Sequence, residues 1–117
     1  MKLFDSEIKV MDVLWKRGDL TAKQISDILK AETAWNMNTT YTVIKKCIAK
    51  GAIERIEPNF VCHALISKEE AQEEEVEALI GKMFDGSAAL LFSSMLERGK
   101  IPSEVLDKLH KMVKGTD

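Results

Sequence analysis

The residues of this chain best suited to recognition chemistry lie between positions 38 and 49. At helical spacing Asn38, Tyr41, Thr42, Lys45, Lys46 and Ala49 share one face, opposite an inward stripe of Thr40, Val43, Ile44, Cys47 and Ile48. Amide and hydroxyl groups can donate and accept hydrogen bonds at the edge of a base, and two ammonium groups can meet phosphate or guanine. An ordinary solvated helix face has the same composition, so its meaning depends on the elements that hold it.

Other reactive side chains are scattered. Cys47 and Cys62 both sit among apolar neighbours, and without a secretion signal such a pair is expected as reduced thiols in a core. His63 and His110 stand alone, and no pairing of them with the two cysteines has a recognised zinc-ligand spacing. The chain has no Gly-rich phosphate loop, nucleophile motif or clustered His, Asp and Cys set. Neither catalysis nor a metal or other cofactor is therefore expected.

Among the elements that must position this face, a first helix capped by Asp5 or Ser6 carries an apolar stripe of Ile8, Met11, Val13, Leu14 and Trp15, and ends at Lys16-Arg17-Gly18. Trp15 completes that stripe and is expected as a packing anchor. A second helix opens on the capping box of Thr21 and Gln24 and buries Ile25, Ile28 and Leu29. The helix bearing the polar face starts near Asn38 and runs to Lys50, with Gly51 as its left-handed stop. Trp35, in the turn before it, either props that helix or meets a ligand backbone. Ile53 to Glu57 and Phe60 to Ile66 then read as two short strands joined by Pro58-Asn59. Three helices and a hairpin are the element order of a winged helix-turn-helix, in which the third helix enters the major groove and the hairpin touches flanking backbone.

The second half differs in character. A capping box of Ser67 and Glu70 opens an acidic helix with Val76, Leu79, Ile80 and Met83 on one side. Its Glu run is expected to be a solvated face. Asp85-Gly86-Ser87 breaks it, a fifth helix carries Leu90, Leu91, Phe92, Met95 and Leu96, and Pro102 opens a sixth with Val105, Leu106, Leu109, Met112 and Val113 inward. The tail methionines are expected as adaptable core filling. Short helices this apolar cannot hide their surface within one chain. A homodimer is expected through Leu79, Ile80, Met83, Leu90, Leu91, Met95, Leu106 and Leu109.

The bulk numbers bound these readings. A chain of 117 residues holds one domain, or a small domain with an appendage, and with 45% apolar and 31% charged residues it is expected to be folded. The formal net charge of −2 splits into +2 over residues 1–65 and −4 over residues 66–117. Phosphate contacts would thus depend on local pattern rather than on the whole. No apolar run approaches the ~20 residues of a membrane span, and a cytoplasmic location is expected.

The segment from Asp5 to Trp15 (DSEIKVMDVLW), the segment from Asn38 to Ile44 (NTTYTVI) and Lys50-Gly51-Ala52 resemble the penicillinase and methicillin-resistance repressors and their copper-homeostasis relative, the BlaI/MecI/CopY family. The resemblance runs from about Asp5 to about Val113. It implies a homodimeric repressor with a winged-helix head and an interlocked three-helix arm, often released from DNA by proteolysis after a membrane sensor detects a β-lactam. Thr39 and Thr42 match the threonines of the family's reading helix, and Lys50-Gly51 matches its end. Asn38 and Tyr41 stand where the best-known members have Lys and Gln, which points to different bases being read. Asn59-Phe60 replaces a Gly-Arg pair in the wing, removing a phosphate contact. Ser94-Met95 lies where lactam-responsive members are cut between Asn and Phe, and the Cys-x-Cys pairs of the copper branch are absent from the tail.

The sequence is therefore expected to give a mainly α fold with a winged-helix head over residues 1–66 and a helical dimerisation arm over residues 67–117. The head would bind a double-stranded DNA operator through Asn38, Thr39, Tyr41, Thr42, Lys45 and Lys46. A winged-helix module that docks protein instead of DNA is the alternative. Tyr41, Thr42, Lys45 and Lys46 discriminate, because a protein-docking face should be more apolar there.

Overall fold

The computed structural model describes residues 1–114, with only the backbone of 109, 110 and 112–114. The elements run α1 (Asp5–Arg17), β1 (Leu20–Thr21), α2 (Ala22–Glu32), α3 (Met37–Ala49), β2 (Ile53–Ile56), β3 (Val61–Ala64), α4 (Lys68–Met83), α5 (Ala88–Glu97) and α6 (Ser103–Lys114). The fold is mainly helical, with one small antiparallel sheet in the strand order β1-β3-β2. Two compact units divide it, Met1–Glu75 and Val76–Asp117, so the boundary falls inside α4.

In the first unit α1, α2 and α3 close around Val10, Met11, Leu14, Ile25, Leu29, Val43, Ile44 and Cys47, with Ala52, Ile53 and Cys62 of the hairpin completing the core. The two thiols are buried and unpaired with each other. Burial pushes Cys47 up to about 12 and Cys62 up to about 11, so both stay protonated at neutral pH.

The inward face of α1 differs from the expected stripe. Glu7 and Val10 are buried and Ile8 is exposed, because the carboxylate of Glu7 has partners inside the head. The helix begins one residue earlier than a cap at Asp5 would set it, and two earlier than a cap at Ser6. Phe4 is its N-cap, and the Phe4 amide donates to Glu7 Oε1 at 2.7 Å. The Thr21 and Gln24 capping box forms as expected, with reciprocal bonds of 3.1 and 2.9 Å, and so does that of Ser67 and Glu70.

The hairpin is shorter than its sequence pattern, because Asn59 and Phe60 take positive φ and turn the chain before β3 can start. Register sets Ile53 opposite Ala64 and Ile56 opposite Val61. On its other edge β3 pairs with β1, Leu20 opposite Cys62. The Trp15 indole N–H donates to the Ile66 carbonyl at 3.0 Å, which anchors the chain leaving the wing to α1. Trp35 packs against the head core and so supports α3 from its entry turn.

In the second unit, α5 is capped by Ser87, whose hydroxyl accepts from the Leu90 amide at 3.2 Å. Pro102 precedes α6, and its carbonyl accepts from the Val105 and Leu106 amides. Neither α4 nor α5 contains a buried residue.

Candidate nucleic-acid interface

Local chemistry explains where α3 starts. Asn36 is extended, and its side-chain oxygen accepts from the Thr39 amide at 2.8 Å. That cap begins the helix at Met37, one residue before the sequence pattern. With Thr40, Val43, Ile44 and Cys47 buried below, Asn38, Thr39, Thr42, Lys45 and Lys46 are all exposed.

The hydroxyls on this face differ in what they offer. Thr42 Oγ1 donates to the Asn38 carbonyl at 2.8 Å, so its proton is committed to the helix and its lone pairs face outward. A group in that state accepts, and in the major groove it suits the exocyclic amines of adenine or cytosine. Among the described residues Thr39 Oγ1 has no hydrogen-bond partner, and Lys45 and Lys46 make no ion pair with a carboxylate.

Tyr41 is placed differently from the other five. It is half-buried, and its ring meets Phe60 at the wing tip edge to face, with centroids 5.8 Å apart and planes at 69°. Phe60 in turn lies under the Arg55 guanidinium, 3.7 Å from its centroid, while Arg55 Nε donates to Glu57. The Phe60 carbonyl accepts from the Ala22 amide at 3.0 Å, so the wing tip is tied to the start of α2 as well. Phe60 and Arg55 are additions to the surface expected from sequence. Spacing alone does not reveal them, because the two left-handed residues at the tip decide which way Phe60 points.

The far end of α3 is fixed by charge. Lys50 Nζ lies 2.6 Å from Glu7 Oε1 and 2.7 Å from the Lys2 carbonyl, and stands over the Phe4 ring. Burial alone would raise the pKa of Glu7. The Lys50 and Phe4 hydrogen bonds, with the charges of Lys50 and Lys46, outweigh burial and hold it below the usual carboxylate range. Asp19 Oδ1 and His63 Nδ1, 2.8 Å apart, link the turn after α1 to β3. Among the described residues no three His, Cys, Asp or Glu side chains are grouped to hold a metal ion, and no single helix is long and apolar enough to cross a membrane.

A three-helix head, a wing on a three-stranded sheet and a third helix with an exposed polar face make up a winged helix-turn-helix. Residues 3–115 match the Penicillinase repressor family, and the chain belongs to that family of transcriptional repressors. It is 21% identical to the penicillinase repressor of Bacillus licheniformis over 114 residues, 96% of this chain and 89% of the relative. It is 20% identical to the methicillin resistance regulatory proteins MecI of Mammaliicoccus sciuri and Staphylococcus aureus, over 96% of this chain and 93% of each relative.

Proposed function

We propose that the protein is a homodimeric repressor that binds an inverted-repeat operator, inserting α3 of each protomer into the major groove. The observation that carries this reading is the exposed face of α3. Five donors, acceptors and cations stand clear of the core on a helix braced at both ends. A protein-docking face would be more apolar, which favours DNA over the alternative.

Dimerisation is supported by the second unit. Leu79, Met83, Leu90 and Met95 are 44%, 67%, 48% and 36% exposed in the single chain, and Ile80, Leu91 and Leu106 are half-exposed. The side chain of Leu109 lies outside the described residues. Covering a Leu or Met stabilises by about 1.5–3 kcal/mol when burial is complete, so a second copy of these helices is the natural cover. The division of labour follows, with the head to about Ile66 reading DNA and the remainder joining protomers. Work on DNA would place the protein in the cytoplasm.

A gel shift with the DNA upstream of the protein's own gene tests the reading. Wild type should retard it. Lys45→Ala with Lys46→Ala should weaken binding and lower the salt dependence by about one counterion for each phosphate left without its lysine. Unchanged affinity in the double variant would remove α3 as the contact surface.

A further inference from the structure

At the wing tip the Arg55 guanidinium stands over the ring of Phe60. We propose that Arg55 is the wing's contact with a DNA backbone phosphate, and that Tyr41 positions it from the reading helix through Phe60. This rests on the duplex-binding reading above.

Three observations converge on Arg55. It lies on β2 of the wing with its side chain 46% exposed, so it is reachable from solvent. Its guanidinium lies over the Phe60 ring, 3.7 Å from the centroid, and Phe60 also meets the Tyr41 ring edge to face. Stacking fixes a plane that would otherwise sweep through many rotamers, and a fixed fork is suited to the geometry of phosphate oxygens. Finally, only Nε is taken, by Glu57. Among the described residues the two terminal nitrogens have no hydrogen-bond partner.

Glu57 gives the proposal a distinctive sign. In free protein its carboxylate, 59% exposed, neutralises Arg55. An incoming phosphate must share the guanidinium with that carboxylate and is repelled by it. Removing the charge of Glu57 should therefore tighten DNA binding. An Arg55 that merely held the wing together would show the opposite, because removing its partner would loosen it. Tyr41 acts here as a positioning residue, through the contact of its ring with Phe60.

The test uses the full-length protein and a labelled duplex from upstream of its gene, titrated across a salt series, with each variant's thermal melt recorded. Arg55→Gln should weaken binding about tenfold at low salt and lower the log–log salt slope by about 0.9 per wing engaged. Arg55→Lys should restore most of the slope, since it keeps the charge. Glu57→Gln should bind a few-fold more tightly. Phe60→Leu should weaken binding as Arg55→Gln does and add little to it in the double variant. An unchanged slope in Arg55→Gln, or weaker binding by Glu57→Gln, overturns the proposal while leaving duplex binding intact. A wild-type protein that retards no duplex overturns the underlying reading and the proposal with it.

Discussion

Lys50, at the end of the reading helix, sets its ammonium 2.6 Å from the carboxylate of Glu7, an almost wholly buried residue of α1. The pair joins elements 43 residues apart in sequence and fixes the C-terminal end of α3, as the Asn36 cap fixes the other. Among the described residues one carboxylate oxygen, Oε2, has no hydrogen-bond partner, so the paired oxygen carries the compensation for bringing this charge inside.

Breaking that pair from the lysine side should be costly. Lys50→Met leaves a buried carboxylate unpaired and should lower stability by roughly 2–4 kcal/mol at pH 7. Glu7→Gln, which keeps the shape, should lower it by only about 1–2 kcal/mol. The folded pKa of Glu7 lies below its ordinary value of 4.5. The ionised group therefore stabilises the fold above that pH, and the contribution is lost as pH falls through the folded value. Urea unfolding of wild type and Glu7→Gln should converge below pH 4.5. A gap that stays constant from pH 7 to pH 3 would contradict this account of the carboxylate.

Thr42 tests the direction of hydrogen bonding at the base edge. Its hydroxyl donates to the Asn38 carbonyl, so it should read an amino group of adenine or cytosine. Thr42→Ala should lose about 1–3 kcal/mol of discrimination at one position of each half-site while retaining the phosphate-driven part of the affinity. Binding to a set of duplexes substituted one base pair at a time measures this. A uniform weakening across all sequences would assign Thr42 a backbone role instead.

The two ends of α3 separate what is legible in the sequence from what is not. The capping boxes at Thr21 and Ser67 are legible because both partners lie within one helical turn, and the buried stripe of α3 is legible from its period. Glu7 looks like a surface residue in sequence because its partner, Lys50, is joined to it only by the packing of α1 on α3. Strand β1 is two residues long and exists through its pairing with β3, so no local pattern announces it. The period places Tyr41 on the polar side of α3, but its contact with Phe60 depends on the left-handed turn at the wing tip. In the second unit the apolar positions are plain, whereas their partners across a dimer are not a property of one chain.

Release from DNA provides a separate expectation. Ser94-Met95 occupies the position at which the family resemblance puts lactam-induced cleavage between Asn and Phe, and here it lies within α5, with its amides in helical bonds. Exposure of producing cells to a β-lactam should leave the protein at full length on a blot. A fragment ending at or beside Ser94 would contradict the expectation.

In the proposed complex two copies of α3 read one dyad. Methylation protection of guanines in the upstream duplex, performed on a sample whose mass by sedimentation is known, tests both halves of it. The expected mass is twice the chain's 13.2 kDa. Two protected major-groove patches should appear, related by inverted repeat and about one helical turn or a small multiple of it apart, and both should vanish together in Lys45→Ala with Lys46→Ala. A monomer that protects a single patch, or a folded dimer that protects none, would contradict it.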